Sequence, residues 1–127
     1  AWMAPEVLFN RGPTRCSADV YSFGCLIAYV ATSTPPPMAG WSRDKIKRAW
    51  LDGSAPLPSW PRGCAFEPSC RDLVDSCLES GEQFRPSMAE LQGDLCRVAG
   101  ELALEGPLVG ALSEGQASAQ PPPPPPP

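Results

Sequence analysis

Chemistry in this 127-residue chain has a narrow set of side chains to draw on: six cysteines, fourteen carboxylates, ten Lys/Arg cations and no histidine. The thiols are Cys16, Cys25, Cys64, Cys70, Cys77 and Cys96. None stands in a C-x-x-C pair, and without histidine the usual zinc donor sets have little support. An even cysteine count also fits a disulfide framework. Cys25, Cys70 and Cys77 fall on apolar helical faces, however, so reduced core cysteines are the expected state. The net charge is −4, and the only cation-rich stretch, Arg43 to Arg48, is broken by Asp44. A nucleic-acid partner is therefore not expected. Val20 to Ala31 is the longest apolar candidate and is too short to span a bilayer. The sequence opens at Ala1 without a methionine, and a longer parent is expected.

The elements that must position these groups read as helices. No stretch alternates as a strand would, so the fold class is mainly α. Pro5 to Leu8 fits one helical turn with proline at its first position. Asn10 to Arg15 is a loop around a Gly-Pro pair. A long helix then starts near Ser17, an N-cap candidate, or Asp19, whose charge suits a first turn. Val20, Phe23, Ile27 and Val30 share one of its faces. Cys25 and Leu26 widen that face until the helix is apolar nearly all round, as a central helix is. Pro35, Pro36 and Pro37 end it.

A polar helix follows over Ser42 to Leu51, held by Ile46 and Trp50, with Gly53 as its stop. Ala55 to Gly63 is a proline-rich loop. Pro68 to Glu79 carries a stripe of Cys70, Leu73, Val74, Cys77 and Leu78, and Gly81 closes it. The last helix opens on the capping box Ser87-Met88-Ala89-Glu90 and buries Met88, Leu91, Leu95, Val98 and Leu102. A folded unit over 1–105 and a disordered low-complexity tail over 106–127 are expected. Seven prolines end the chain, Pro121 to Pro127. They favour polyproline II, either as a solvated spacer or as a ligand for a polyproline-binding domain.

Three motifs in order carry a resemblance. Trp2-Met3-Ala4-Pro5-Glu6 resembles the A-P-E motif that ends the activation segment of protein kinases. Asp19-Val20-Tyr21-Ser22-Phe23-Gly24 looks like the start of the central helix of the kinase C-lobe. Phe84-Arg85-Pro86-Ser87 looks like the arginine-proline turn before that family's final helix. The resemblance runs from Ala1 to about Ala99, and its flavour is that of tyrosine kinases and tyrosine-kinase-like serine/threonine kinases. It implies a helical C-lobe subdomain of the protein kinase-like fold. It implies that Glu6 pairs with Arg85, that Asp19 anchors the backbone of the catalytic loop, and that Trp2 and Met3 border the groove for the substrate residue after the phosphoacceptor. The chain departs from the family at Ala28-Tyr29, where Trp-Glu is common, at Cys77-Leu78 in place of Cys-Trp, and at Ser80 to Gln83 in place of Asp-Pro.

Phosphoryl transfer also needs a Gly-rich loop, a phosphate-holding lysine, H-R-D and D-F-G. No G-x-G-x-x-G, H-R-D or D-F-G occurs in the 127 residues. The resemblance thus implies part of an ATP-dependent protein kinase acting on Ser/Thr or Tyr side chains. Its ATP and magnesium, its N-lobe and its catalytic loop would be supplied by the rest of the domain, its partner would be a protein substrate, and its compartment would be intracellular. This chain would supply the C-lobe scaffold and part of the substrate-binding floor. By itself it is expected to bind no cofactor or metal and to be inactive. The alternative is an inert kinase remnant that binds partners through an exposed helical face and its polyproline tail. With the usual covering elements missing, the central helix is expected to leave an exposed apolar patch.

Overall fold

The computed structural model describes residues 1–105. The tail expected over 106–127 lies outside the described residues. Five helices make the fold: α1 (Pro5–Leu8), α2 (Cys16–Thr32), α3 (Arg43–Leu51), α4 (Glu67–Cys77) and α5 (Met88–Glu105), with a 3₁₀ turn at Glu82–Phe84 before α5. Among the described residues there is no strand.

Local chemistry explains most helix ends. Pro5 opens α1, where its missing N–H costs nothing. Ser33 closes α2 in the left-handed region at φ 54°, its N–H donating to the Tyr29 carbonyl at 2.8 Å. The Ser42 hydroxyl caps α3 by accepting from the Lys45 N–H at 3.3 Å. At the other end Gly53 turns left-handed at φ 74°, and the Ser54 N–H donates to the Ala49 carbonyl at 2.9 Å. That is the Schellman arrangement, which glycine enters without steric cost. The α5 capping box closes in both directions. The Ser87 N–H donates to the Glu90 carboxylate at 2.8 Å, and the Glu90 N–H donates to the Ser87 hydroxyl at 3.2 Å.

Ser17 does not cap α2. The helix begins at Cys16 after Arg15, with no side-chain cap. The Ser17 hydroxyl instead donates to Glu82 at 3.2 Å, so a tertiary acceptor has taken the group that a local cap would use.

Helix α2 packs along α4, and α5 lies against both. The buried strip of α2 is Ala18, Val20, Tyr21, Gly24, Cys25 and Ala28. Small residues let the two backbones approach: a Cβ on Gly24 would stand 2.5 Å from the Cys77 Cβ. Val74, Cys77 and Leu91 are sealed in the resulting core. This corrects the expected face of α2. Val20 is inside, but Phe23 and Val30 are exposed, because α4 selects the side of the helix that permits the closest approach. Phe23, Leu26 and Val30 instead form an outward apolar surface, with a shallow groove of about 320 Å³ completed by Phe66, Leu95 and Leu102. Met88 is likewise exposed, at the outer side of the first turn of α5, while Leu91 and Val98 are buried. A smaller cluster of Leu8, Met38 and Ile46 joins α1 to α3. All six cysteines are free, and burial pushes the Cys25 and Cys77 thiols up to about 11.

Candidate functional site

The most heavily bonded side chain is Arg85, in the extended residue between the 3₁₀ turn and Pro86. Its side chain is wholly buried, beside a largely buried Glu6 on α1. A guanidinium carries five N–H donors, and each finds an acceptor. Nε donates to the Glu79 carbonyl at 2.8 Å. Nη1 donates to Glu6 Oε1 at 2.7 Å and to the Ser17 carbonyl at 2.9 Å. Nη2 donates to Glu6 Oε2 at 2.9 Å and, more weakly, to the Ser80 carbonyl at 3.5 Å. The plane also lies 5.1 Å from the centre of the Tyr21 ring. One side chain thereby ties α1, the start of α2 and the end of α4 to the turn before α5.

Burial works to raise the Glu6 pKa, but the hydrogen bonds and charge of Arg85 outweigh it and hold the carboxyl below its ordinary value. Tyr21 is shifted the other way, above the ordinary phenol range, because it is desolvated. The node therefore holds fixed charges. It has no group poised to exchange a proton near neutral pH, and what it supplies is position.

Four and three residues before Glu6 stand Trp2 and Met3, whose side chains are both exposed. The Ser22 hydroxyl donates to the Trp2 carbonyl at 2.9 Å. The Trp2 ring meets Tyr29 edge-on at 5.8 Å. Met3 lines a cavity of about 270 Å³ with Leu8, Met38 and Trp41. Asp19 lies in the first turn of α2, exposed, and no described residue hydrogen-bonds its carboxylate. The geometry thus brings Glu6 and Arg85 into contact, seats Trp2 on α2 and Met3 beside Leu8 and Trp41, and leaves Asp19 apart. Sequence reasoning did not single out Ser22 and Tyr29 as the seat for Trp2. Their separation of seven residues, two helical turns, was the available signal.

Among the described residues no group of three or more metal-ligating side chains forms, and no helix is long and apolar enough to cross a membrane.

A protein kinase domain model matches residues 1–94. The chain belongs to the protein kinase family. Over 110 residues it is 33% identical to the mitogen-activated protein kinase kinase kinase YODA of Arabidopsis thaliana, an alignment that covers 85% of this chain and 12% of that protein. It is 31% identical over 102 residues to the probable serine/threonine-protein kinase SIS8 of the same plant, covering 76% of this chain and 9% of that one. Over 93 residues it is 30% identical to mitogen-activated protein kinase kinase kinase 8 of Rattus norvegicus, covering 71% of this chain and 19% of that one. The kinase chain thus spans less than a fifth of the length of these relatives. The kinase match takes in both halves of the buried pair, Glu6 and Arg85.

Proposed function

We propose that this chain is the C-terminal-lobe part of a catalytic domain that transfers the γ-phosphoryl group of ATP to serine or threonine side chains of a protein substrate. The observation that carries this reading is the Glu6–Arg85 node. It fastens the W-M-A-P-E segment to the turn before α5 with every guanidinium donor in use. Phosphoryl transfer is largely a matter of positioning and electrostatics, and a fixed segment beside the substrate path is a positioning device. In this reading Trp2 and Met3 border the substrate groove. Asp19, with its carboxylate unengaged, receives the backbone of the catalytic loop. Serine/threonine preference rests on the names of the relatives, and the tyrosine-kinase-like flavour on W-M-A-P-E with D-V-Y-S-F-G. The folded unit occupies residues 1–105 and works inside the cell, with the rest of the kinase domain supplying ATP and magnesium binding.

Residues 1–127 alone contain no G-x-G-x-x-G, H-R-D or D-F-G. The purified chain is therefore inactive. A chimaera tests both parts of the proposal. Residues 1–99 replace the aligned segment of the rat relative, and incorporation of labelled phosphate into a protein substrate is followed. The chimaera is expected to be active on serine and threonine, and the isolated chain to incorporate nothing. A folded but inactive chimaera overturns the positioning role, and labelled product from the isolated chain overturns its inactivity.

A further inference from the structure

The chain leaves α2 through Ser33-Thr34-Pro35, all three exposed and in no helix. Thr34-Pro35 is the one step in the 127 residues at which a serine or threonine precedes a proline. Ser33, left-handed at φ 54°, turns the backbone out of the helix. Pro35 disfavours helical backbone at Thr34 and pushes it toward the extended region. Pro36 and Pro37 keep the residues beyond from resuming a helix.

The hydroxyls on either side of this turn differ in commitment. Thr32 is half-buried, and its hydroxyl donates to the Ala28 carbonyl at 2.7 Å. The Thr34 hydroxyl donates to the Thr32 carbonyl at 3.2 Å, and the Thr34 N–H donates to the Thr32 hydroxyl at 3.2 Å. Bonds between hydroxyl and carbonyl oxygens usually fall at about 2.5–3.0 Å, so the exposed Thr34 hydroxyl is given up to another partner at little cost.

We propose that Thr34 is a phosphorylation site for a proline-directed serine/threonine kinase, an enzyme that takes its substrate extended and receives a proline directly after the acceptor. Pro35 has no N–H to offer that enzyme, so its ring is read by apolar contact. The Thr34 oxygen attacks the γ-phosphorus of ATP, the bond from that phosphorus to the bridging oxygen of ADP breaks, and the hydroxyl proton passes to a base of the modifying enzyme. The phosphate adds a charge of about −1.5 to −2 just past the C-terminal end of α2, the negative pole of the helix. The Thr32 carbonyl loses its donor at the same time. Leu26 to Ser42 holds no Lys or Arg to offset the new charge. The last turn of α2 is therefore loosened. That turn carries Tyr29, whose carbonyl accepts the Ser33 N–H at 2.8 Å and whose ring meets Trp2. The inference is independent of the role proposed above, because here the chain is the substrate and another enzyme does the chemistry.

The test incubates the 127-residue chain with a purified proline-directed serine/threonine kinase and γ-labelled ATP, and maps the label by mass spectrometry. A single phosphate on Thr34 is expected, in a chain whose helical circular dichroism signal shows it folded. Thr34→Ala should abolish incorporation. Pro35→Ala keeps the hydroxyl and should slow incorporation about tenfold or more, the scale on which one apolar pocket contact discriminates substrates. No label, or label confined to other residues, overturns the site. Equal rates for the Pro35→Ala and unmodified chains overturn its assignment to a proline-directed enzyme. Hydrogen exchange then compares the phosphorylated and unmodified chains. Faster exchange of the Ser33 amide is expected, and unchanged exchange overturns the loosening of α2.

Discussion

Arg85 and Arg97 are the same side chain, each facing carboxylates, in two regions built on different terms. Arg85 has no exposed side-chain surface and holds Glu6 in a two-pronged grip, with three backbone carbonyls taking its remaining donors. Arg97 is 55% exposed on α5, with Glu101 at 2.8 Å and Asp94 at 3.7 Å, one turn away on either side. Desolvating an ion pair is costly, and only near-complete hydrogen bonding offsets that cost. Arg85 meets the condition. Arg97 never left water, so it had little to offset and has little to contribute. Ion-pair distance does not rank these contacts, since 2.7 and 2.8 Å are nearly equal. Burial and the number of satisfied donors do.

The comparison breaks most visibly at Arg85. Arg85→Ala would leave the Glu6 carboxylate largely buried without its cation and the carbonyls of Ser17 and Glu79 without their donor. A loss of about 3–5 kcal/mol is expected. Set against a typical domain stability of about 5–15 kcal/mol, that is a large share, and urea denaturation followed by circular dichroism measures it. A loss no greater than that of a surface substitution would mean that the node is ornamental.

Acid attacks the same contact from the other partner. Glu6 is held below its ordinary value of 4.5. A depressed carboxyl contributes stability that is present above the unfolded-state pKa and lost as pH falls through the folded-state pKa. Stability should therefore fall below about pH 4.5, with neutral pH on the plateau. Glu6→Gln should lower the plateau and flatten that fall. An unchanged acid limb in Glu6→Gln would assign the sensitivity to other carboxylates.

How much of this was legible depends on how far apart the deciding residues lie. The α4 stripe and the α5 capping box are local patterns spanning nine and four residues, and the structure keeps both. Helix α2 is apolar nearly all round, so its periodicity does not say which side is buried. Gly24 decides that, through its approach to Cys77, and Gly24 carries no hydropathy signal. Ser17 reads as a cap by type and place, but Glu82, 65 positions away, takes its hydroxyl. The Glu6–Arg85 contact spans 79 positions, and no periodicity points to it. The seating of Lys45 on Trp41 is a four-residue helical relation and was open to local reading. That of Lys47 on Phe9 joins α3 to the residue that caps α1 and was not.

A middle rung between buried and exposed is the α5 cap. Ser87→Ala removes the acceptor for the Glu90 N–H at the mouth of an 18-residue helix. About 1 kcal/mol is expected, the usual cost of an N-cap. The denaturation midpoint should shift without a change in slope. Ser87→Gly should cost less than Ser87→Ala, since glycine leaves the end open to water. The reverse order would mean that the chain entering α5 is limited by backbone freedom and not by its cap.

The smallest effect belongs to Arg97→Ala. Its two partners lie on the same helix, so breaking them separates no elements. Alanine also has the better helix propensity, which works against the lost pairs. The long side chain no longer has to be held in one geometry, a second gain for the variant. Salt supplies the decisive reading. At physiological ionic strength exposed charges are screened over about 8 Å, and the variant should melt with the unmodified chain. At low salt a slight deficit should emerge. Arg85→Ala should behave oppositely, with a large deficit that salt barely moves, because the charges it separates are shielded from the solvent ions. A salt-independent loss in Arg97→Ala would mean that its aliphatic stem, and not its charge, packs against the helix. That result would leave burial as the ranking principle while moving Arg97 to the other side of the comparison.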